Sequence, residues 1–324
     1  MPANLGPEYL KAEERFRQAT TDEERLLALE EMLATIPKHK GTEKMQADIK
    51  RRIAQLRREM QKSRGPRRRD IFRIDREGAG QIVMVGPPNC GKSQLLAAMT
   101  RAQPEIAPYP FTTRLPLPGM VRWENVQIQL VDMPPLTRDT VQSWMWAVMR
   151  SADALLLVAD LSDDDVLDRT EDILEFTRDN GVALVGTGET TFGKKRSLVA
   201  ANKADVAGAR DRLELLKEFV RDRLPVFPVS ALTGEGLDAL AKAMFFDLLG
   251  KIRVYTHPPG KKPDFSNPFI LDAGTTVLEA AEEIHKEIAA NLAYARVWGS
   301  GMFRGQMVPR DHVLQDGDVV VFYT

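Results

Sequence analysis

The clearest chemistry in the chain lies in eight consecutive residues, Gly86-Pro87-Pro88-Asn89-Cys90-Gly91-Lys92-Ser93. They fit G-x-x-x-x-G-K-[ST], follow an apolar strand-like run and precede a helix-like one, the context that a phosphate-binding loop requires. Backbone N–H groups of such a loop wrap phosphate oxygens, helped by the N-terminus of the following helix. Lys92 would pair with the β- and γ-phosphates, and the Ser93 hydroxyl would ligate Mg²⁺.

A second cluster selects the base. Asn202-Lys203-Ala204-Asp205 follows another apolar run, about 110 residues beyond the phosphate loop. A carboxylate at Asp205 accepts from the N1–H and N2–H₂ donors that guanine presents and adenine lacks at that edge. The Asn202 amide can meet N7, and the Lys203 stem can cover the ring face. Ser230-Ala231-Leu232, after the next strand-like run, offers a backbone N–H to guanine O6. Between the two clusters, Asp132 ends a strand-like run, where a carboxylate in the second shell of Mg²⁺ is expected. In Tyr109-Pro110-Phe111-Thr112-Thr113, a threonine would reach Mg²⁺ and the γ-phosphate; Thr113 is the first choice and Thr112 the alternate.

These residues need an α/β framework. Gln81–Val85, Val126–Val131, Ala154–Asp160, Leu198–Ala201 and Val226–Val229 read as strands. Ser93–Thr100, Val166–Arg178, Arg210–Arg223 and Leu237–Leu248 read as helices between them, and Thr137–Met149 as a further helix carrying Trp144 and Trp146. That alternation argues for a mostly parallel sheet covered on both faces, over residues 80–250. Residues 251–324 read as strand, strand, one helix over Val277–Leu292, strand and strand, a small α+β module. Residues 1–79 read as a helical hairpin and a basic linker. Leu26, Leu29, Leu33 and Ile36 line its first helix, and Met45, Ile49, Ile53, Leu56 and Met60 its second. Thr21 and Glu24 have capping-box spacing.

Charge divides the chain in the same way. Its 324 residues hold 45 Lys+Arg and 46 Asp+Glu, yet residues 38–76 hold 15 against 5 and the remainder 30 against 41. Lys50, Arg51, Arg52, Arg57 and Arg58 fall on the outer face of the hairpin's second helix. A basic arm on an acidic body is the pattern of a protein that meets an anionic partner such as RNA. One cysteine, Cys90, excludes an internal disulfide framework and a cysteine-based zinc site. The four histidines are scattered without ligand spacing. No apolar run approaches the roughly 18 residues of a membrane span, and the N-terminus lacks a signal-peptide core. A cytoplasmic location is expected.

Taken together, these motifs resemble those of the translation-factor-related GTPases, and the Obg/DRG family most closely. GPPNCGKS is similar to that family's phosphate loop, PFTT to its switch I, and NKAD and SAL to its guanine motifs. RVYTHPPGKKPDF, YARVWGSG and DHVLQDGDVVVFYT resemble the TGS domain, a ubiquitin-like β-grasp module, that ends DRG-type GTPases. The resemblance implies a P-loop G domain over 80–250 and a TGS domain over 251–324. It also implies slow hydrolysis of GTP to GDP and phosphate, and nucleotide-dependent association with ribosomes or structured RNA. For Asn89 it implies a share in holding K⁺ near the phosphates, in place of an arginine finger.

The chain departs from the family at its third motif. D-x-x-G reads Asp132-Met133-Pro134-Pro135 here, and no glycine occurs from 120 to 180. Proline has no N–H and a fixed φ, so Pro135 removes both the γ-phosphate donor and the hinge. Leu136 stands where a Ras-like protein has its water-positioning glutamine. The subdomain that DRG proteins insert before the guanine motif is missing, and a loop at 186–193 takes its place. Losing one charge-directed hydrogen bond costs roughly 1.5–3 kcal/mol in γ-phosphate recognition. A guanine-nucleotide-gated RNA or ribosome adaptor with little hydrolysis is therefore the competing expectation.

Overall fold

A computed structural model describes residues 7–18, 22–36, 45–53, 55, 74–100, 115–186, 193–258, 263–300 and 305–324. The chain forms two compact units, Met1–Arg73 and Ile74–Thr324. The boundary expected after residue 79 thus falls six residues earlier. Residues 74–79 are tied to the sheet of the second unit: Gln81 Nε2 donates to Ile74 O, Gln129 Nε2 to Asp75 O at 3.0 Å, and Ala79 N to Gln127 O at 2.7 Å.

In the first unit, α1 (Pro7–Gln18), α2 (Asp22–Thr35) and α3 (residues 45–53) share one apolar cluster. Tyr9 and Ala12 of α1 pack with Leu29 and Met32 of α2, with Ile36 and with Ile49 and Ile53 of α3. The expected hairpin therefore has a third helix, whose apolar positions also recur at helical spacing. Lys50, Arg51 and Arg52 are exposed on α3, with Arg52 paired to Asp48 at 3.0 Å. Arg57, Arg58, Leu56, Met60 and Thr21 lie outside the described residues.

The second unit begins with β1 (Gln81–Val85), α4 (Lys92–Thr100), β2 (Leu117–Trp123) and β3 (Val126–Asp132). Then come α5 (Ser143–Ser151), β4 (Ala154–Asp160), α6 (Val166–Asp179), β5 (Ala183–Val185) and β6 (Lys194–Asn202). α7 (Ala209–Val220), β7 (Val226–Pro228) and α8 (Leu237–Ala243) complete the domain, with a wider π-type turn over Met244–Leu248. The sheet order is β2-β3-β1-β4-β6-β5, and β7 also pairs with β6. All its pairings are parallel except β2 with β3.

Alternation along the strands sorts side chains to two cores. Val83, Val131, Leu155, Leu157 and Val199 face α5, α6 and α7, whereas Ile82, Met84, Ile128, Leu130, Leu156 and Leu198 face α4, α8 and the π-type turn. Burial on both faces is why Ala154–Ala159 reads as an unbroken apolar run. One helix here starts later than expected. The helix expected at Thr137–Met149 starts only at Ser143. Ahead of it, the threonine hydroxyls staple a turn, Thr140 Oγ1 donating to Pro135 O at 3.1 Å and meeting Thr137 Oγ1 at 2.6 Å. Such local bonds compete with helix formation.

In the C-terminal region, β8 (Lys251–Thr256), β9 (Phe269–Asp272), β10 (Tyr294–Trp298), β11 (Gln306–Val308) and β12 (Asp318–Tyr323) form a sheet of order β11-β10-β12-β8-β9. The helix expected over Val277–Leu292 is two, α9 (Val277–Ile284) and α10 (Lys286–Asn291). α9 starts in a Thr276–Glu279 capping box; His285, at φ −164°, ends it, and its Nδ1 accepts from Glu287 N to cap α10. This module meets the preceding domain at the β2–β3 turn. Arg253 donates to Asp316, Glu124 and Asn125 Oδ1, with its guanidinium 4.8 Å from the Trp123 ring centroid. Asn125 Nδ2 in turn donates to Tyr255 Oη at 2.8 Å.

Candidate nucleotide-binding site

The phosphate loop leaves β1 and enters α4 at the carboxyl ends of the parallel strands, where open α/β sheets bind ligands. Two glycines are required by space. A Cβ on Gly86 would lie 2.6 Å from Val158 O, and one on Gly91, at φ +90°, 2.3 Å from Asn202 Nδ2. Asn89 also takes a left-handed φ of 63°, and it is exposed at the loop tip. Lys92 is buried; its ammonium donates to Gly86 O at 3.1 Å and Pro87 O at 2.9 Å. The charge is thus held inside the concavity that phosphate oxygens would enter. Cys90 is also buried, its Sγ 3.1 Å from Pro87 O, and burial pushes its thiol pKa up despite Lys92 nearby. Its thiol packs the loop.

Ser93 Oγ donates to Asp132 Oδ2 at 2.5 Å. Burial raises the Asp132 pKa, against the lowering effects of Ser93 and Lys92. Its other oxygen, Oδ1, is buried without a hydrogen-bond partner. A hydroxyl beside a carboxylate with an uncommitted oxygen fits a hard divalent cation, with Ser93 as ligand and Asp132 reaching its water shell. Thr112 and Thr113 lie outside the described residues, as does most of the loop at 186–193.

On the base side, Asn202 is fully buried at the end of β6. Its Nδ2 donates to Cys90 O at 3.0 Å and its Oδ1 accepts from Ala231 N at 3.1 Å. Asn202 therefore braces the phosphate loop to the Ser230-Ala231-Leu232 loop, and one amide hydrogen remains for a base N7. Of the 230–232 backbone N–H groups expected to reach guanine O6, that of Ala231 is engaged by Asn202 in this structure. Asp205 is exposed, and its Oδ1 accepts from the buried Ser230 hydroxyl at 2.5 Å. Ser230 also accepts from Thr233 N, so it orients the carboxylate, while the Leu232 side chain is exposed.

Two residues beyond the sequence motifs enter the site. Lys203, at φ 64°, donates to Asp160 Oδ2 at 2.5 Å and Ser162 Oγ at 3.2 Å. Burial raises the Asp160 pKa, but the Lys203 bond, the Ser162 hydroxyl and N–H, and the Lys203 charge together lower it below the ordinary carboxylate value. The only sequence signal was Asp160 closing an apolar strand.

Residues 252–324 match the TGS domain family, and residues 81–187 match the family described as 50S ribosome-binding GTPase. The chain thus carries a GTPase domain and ends in a TGS domain, the arrangement of Obg/DRG-type GTPases. Its relatives agree over nearly their whole length. An uncharacterized GTP-binding protein of Methanocaldococcus jannaschii is 29% identical, with 92% of each chain covered. Ribosome-interacting GTPase 1 of Saccharomyces cerevisiae is 26% identical, covering 93% of this chain and 98% of the relative. Developmentally-regulated GTP-binding protein 1 of Xenopus laevis is 29% identical, covering 91% and 97%.

The segment after Asp132 is where the sequence departs from the expected D-x-x-G motif. Met133 and Leu136 are buried, and Leu136 N donates to Gly86 O at 3.1 Å. The segment after Asp132 is therefore fastened to the phosphate loop. Pro134 and Pro135 carry no N–H, so the backbone from 134 to 136 presents no uncommitted amide. Among the described residues, no helix is long and apolar enough to cross a membrane.

Proposed function

We propose that this GTP-binding protein is a slow GTPase switch that acts on the ribosome or structured RNA. The observation that carries the nucleotide half is Asn202. It joins the phosphate loop to the loop that orients Asp205, so triphosphate and guanine contacts form one braced unit. Gly86 to Ser93 would cradle the phosphates, with Lys92 on the β- and γ-phosphates. Asn202, Lys203, Asp205 and the 230–232 loop would hold guanine. Mg²⁺, when bound through Ser93 and Thr113 with Asp132 behind its waters, offsets charge on the β- and γ-phosphates. K⁺ at the exposed Asn89 is the corresponding monovalent expectation.

The RNA half is supported by the family description of residues 81–187 and by the name of the yeast relative. It is also supported by the exposed Lys50, Arg51 and Arg52. These residues, Arg57, Arg58 and the TGS domain would supply the contacts, in the cytoplasm. Pro135 favours a second reading, an adaptor gated by guanine nucleotide with little turnover. Single-turnover hydrolysis in KCl and in NaCl, with and without ribosomes, separates the two. Phosphate release above that of a Lys92→Ala variant supports the GTPase. Equal GTP and GDP affinity with no phosphate release supports the adaptor.

A further inference from the structure

We propose that Arg138 supplies the γ-phosphate contact that Pro135 forfeits, acting as a built-in arginine donor. This rests on the reading that the site binds GTP. Positions 134–136 offer the γ-phosphate no amide, because two are prolines and Leu136 N is bonded to Gly86 O. The recognition lost there must come from a side chain, or the protein cannot tell GTP from GDP by this segment.

Arg138 is placed to supply it. It lies two residues beyond buried Leu136, whose amide pins the segment to the phosphate loop. The Thr137–Thr140 hydroxyl contact and the Thr140–Pro135 bond staple the turn that carries it. Arg138 lines a cleft of about 220 Å³ together with Pro87 and Pro88 of the phosphate loop. Arg138 is an exposed residue, and its guanidinium rests over the Phe176 ring, 5.5 Å from the centroid. Such a surface cation–π contact is weak and readily exchanged for a phosphate. The other arginine of the cleft, Arg169, is engaged by Asp163. A guanidinium fork matches two phosphoryl oxygens at once, which an amide cannot do.

In the reaction, a water oxygen forms a bond to the γ-phosphorus as the bond to the β–γ bridging oxygen breaks. The electron pair of that bond leaves with GDP, and the water proton passes to the released phosphate. Arg138 would bear on the γ-phosphoryl oxygens, where charge is spread in the transition state.

The test uses the full chain, with wild type, Arg138→Ala and Arg138→Lys compared by thermal melting, by affinity for GDP and for a non-hydrolysable GTP analogue, and by single-turnover hydrolysis. Arg138→Ala is expected to melt as wild type and to keep GDP affinity within about twofold. It should weaken the analogue about tenfold and slow hydrolysis about 100-fold or more, with Arg138→Lys intermediate. If wild type proves not to hydrolyse GTP, the analogue-to-GDP ratio alone decides. Arg138→Ala matching wild type in that ratio and in rate overturns the inference and leaves the GTP-binding reading intact. A wild type that binds no guanine nucleotide overturns the reading itself, and the inference with it.

Discussion

Replacing Asn202 with alanine tests whether the two halves of the nucleotide site are mechanically joined. The side chain is fully buried and fills two backbone needs, Cys90 O at 3.0 Å and Ala231 N at 3.1 Å. Alanine strands both groups in a dry environment. Each stranded group costs about 1–3 kcal/mol, so the loss is about 2–6 kcal/mol in the absence of nucleotide. Asp205→Ala is the control. Asp205 is exposed and its partner among the described residues, the Ser230 hydroxyl, can still accept from Thr233 N, so its cost should stay below about 1 kcal/mol. All four tryptophans, Trp123, Trp144, Trp146 and Trp298, belong to the unit that contains the site. Intrinsic fluorescence during urea unfolding therefore reports that unit. The midpoint should fall for Asn202→Ala at unchanged slope and barely move for Asp205→Ala, although both lose GDP affinity. Equal midpoints for the two variants would refute the brace.

Other consequences follow from the same contacts. Asp160 has a lowered folded-state pKa, so its partnership with Lys203 stabilises above the unfolded carboxylate value, about 3.9, and is lost as pH falls through the folded pKa. The stability gap between wild type and Asp160→Asn should accordingly be full at pH 7 and close below about pH 4, measured by urea midpoints across pH. Gly91→Ala places a Cβ 2.3 Å from Asn202 Nδ2 at a left-handed φ, and should cost at least tenfold in GDP affinity by calorimetry. Arg253→Ala removes the guanidinium bonds to Asp316, Glu124 and Asn125 but leaves Asp316 the bond from the residue 253 backbone N–H, and should destabilise by about 1–3 kcal/mol. Hydrogen exchange should then quicken together in Glu124–Asn125 and β8. Replacing Lys50, Arg51 and Arg52 with alanine should reduce the salt slope of ribosome or RNA binding by about 2–3; an unchanged slope assigns these residues to solvent alone.

The sequence made legible whatever depends on local pattern. β4 is apolar on both faces and the phosphate loop is contiguous, so both read directly. β2 did not, because Pro118 and Gly119 interrupt it. Proline is tolerated on an edge strand, and a Cβ at Gly119 would meet Thr100 Cγ2 at 2.7 Å. The break at His285 carries no glycine or proline to announce it; a side-chain cap makes it. Asn202 stood out in the sequence as a candidate guanine contact but not as a brace, since its partners lie 112 and 29 residues away. Asp160 and Ser162 escaped notice for the same reason, because only the sheet order brings β4 beside β6 and Lys203.

The measurement that bears most directly on the account is the affinity of the full chain for GDP against ADP, with Asp205→Ala alongside. A site whose carboxylate is oriented by Ser230 toward the guanine donors should prefer GDP by at least about 100-fold, and the variant should lose most of that preference. Equal affinities for GDP and ADP in the wild type would contradict it.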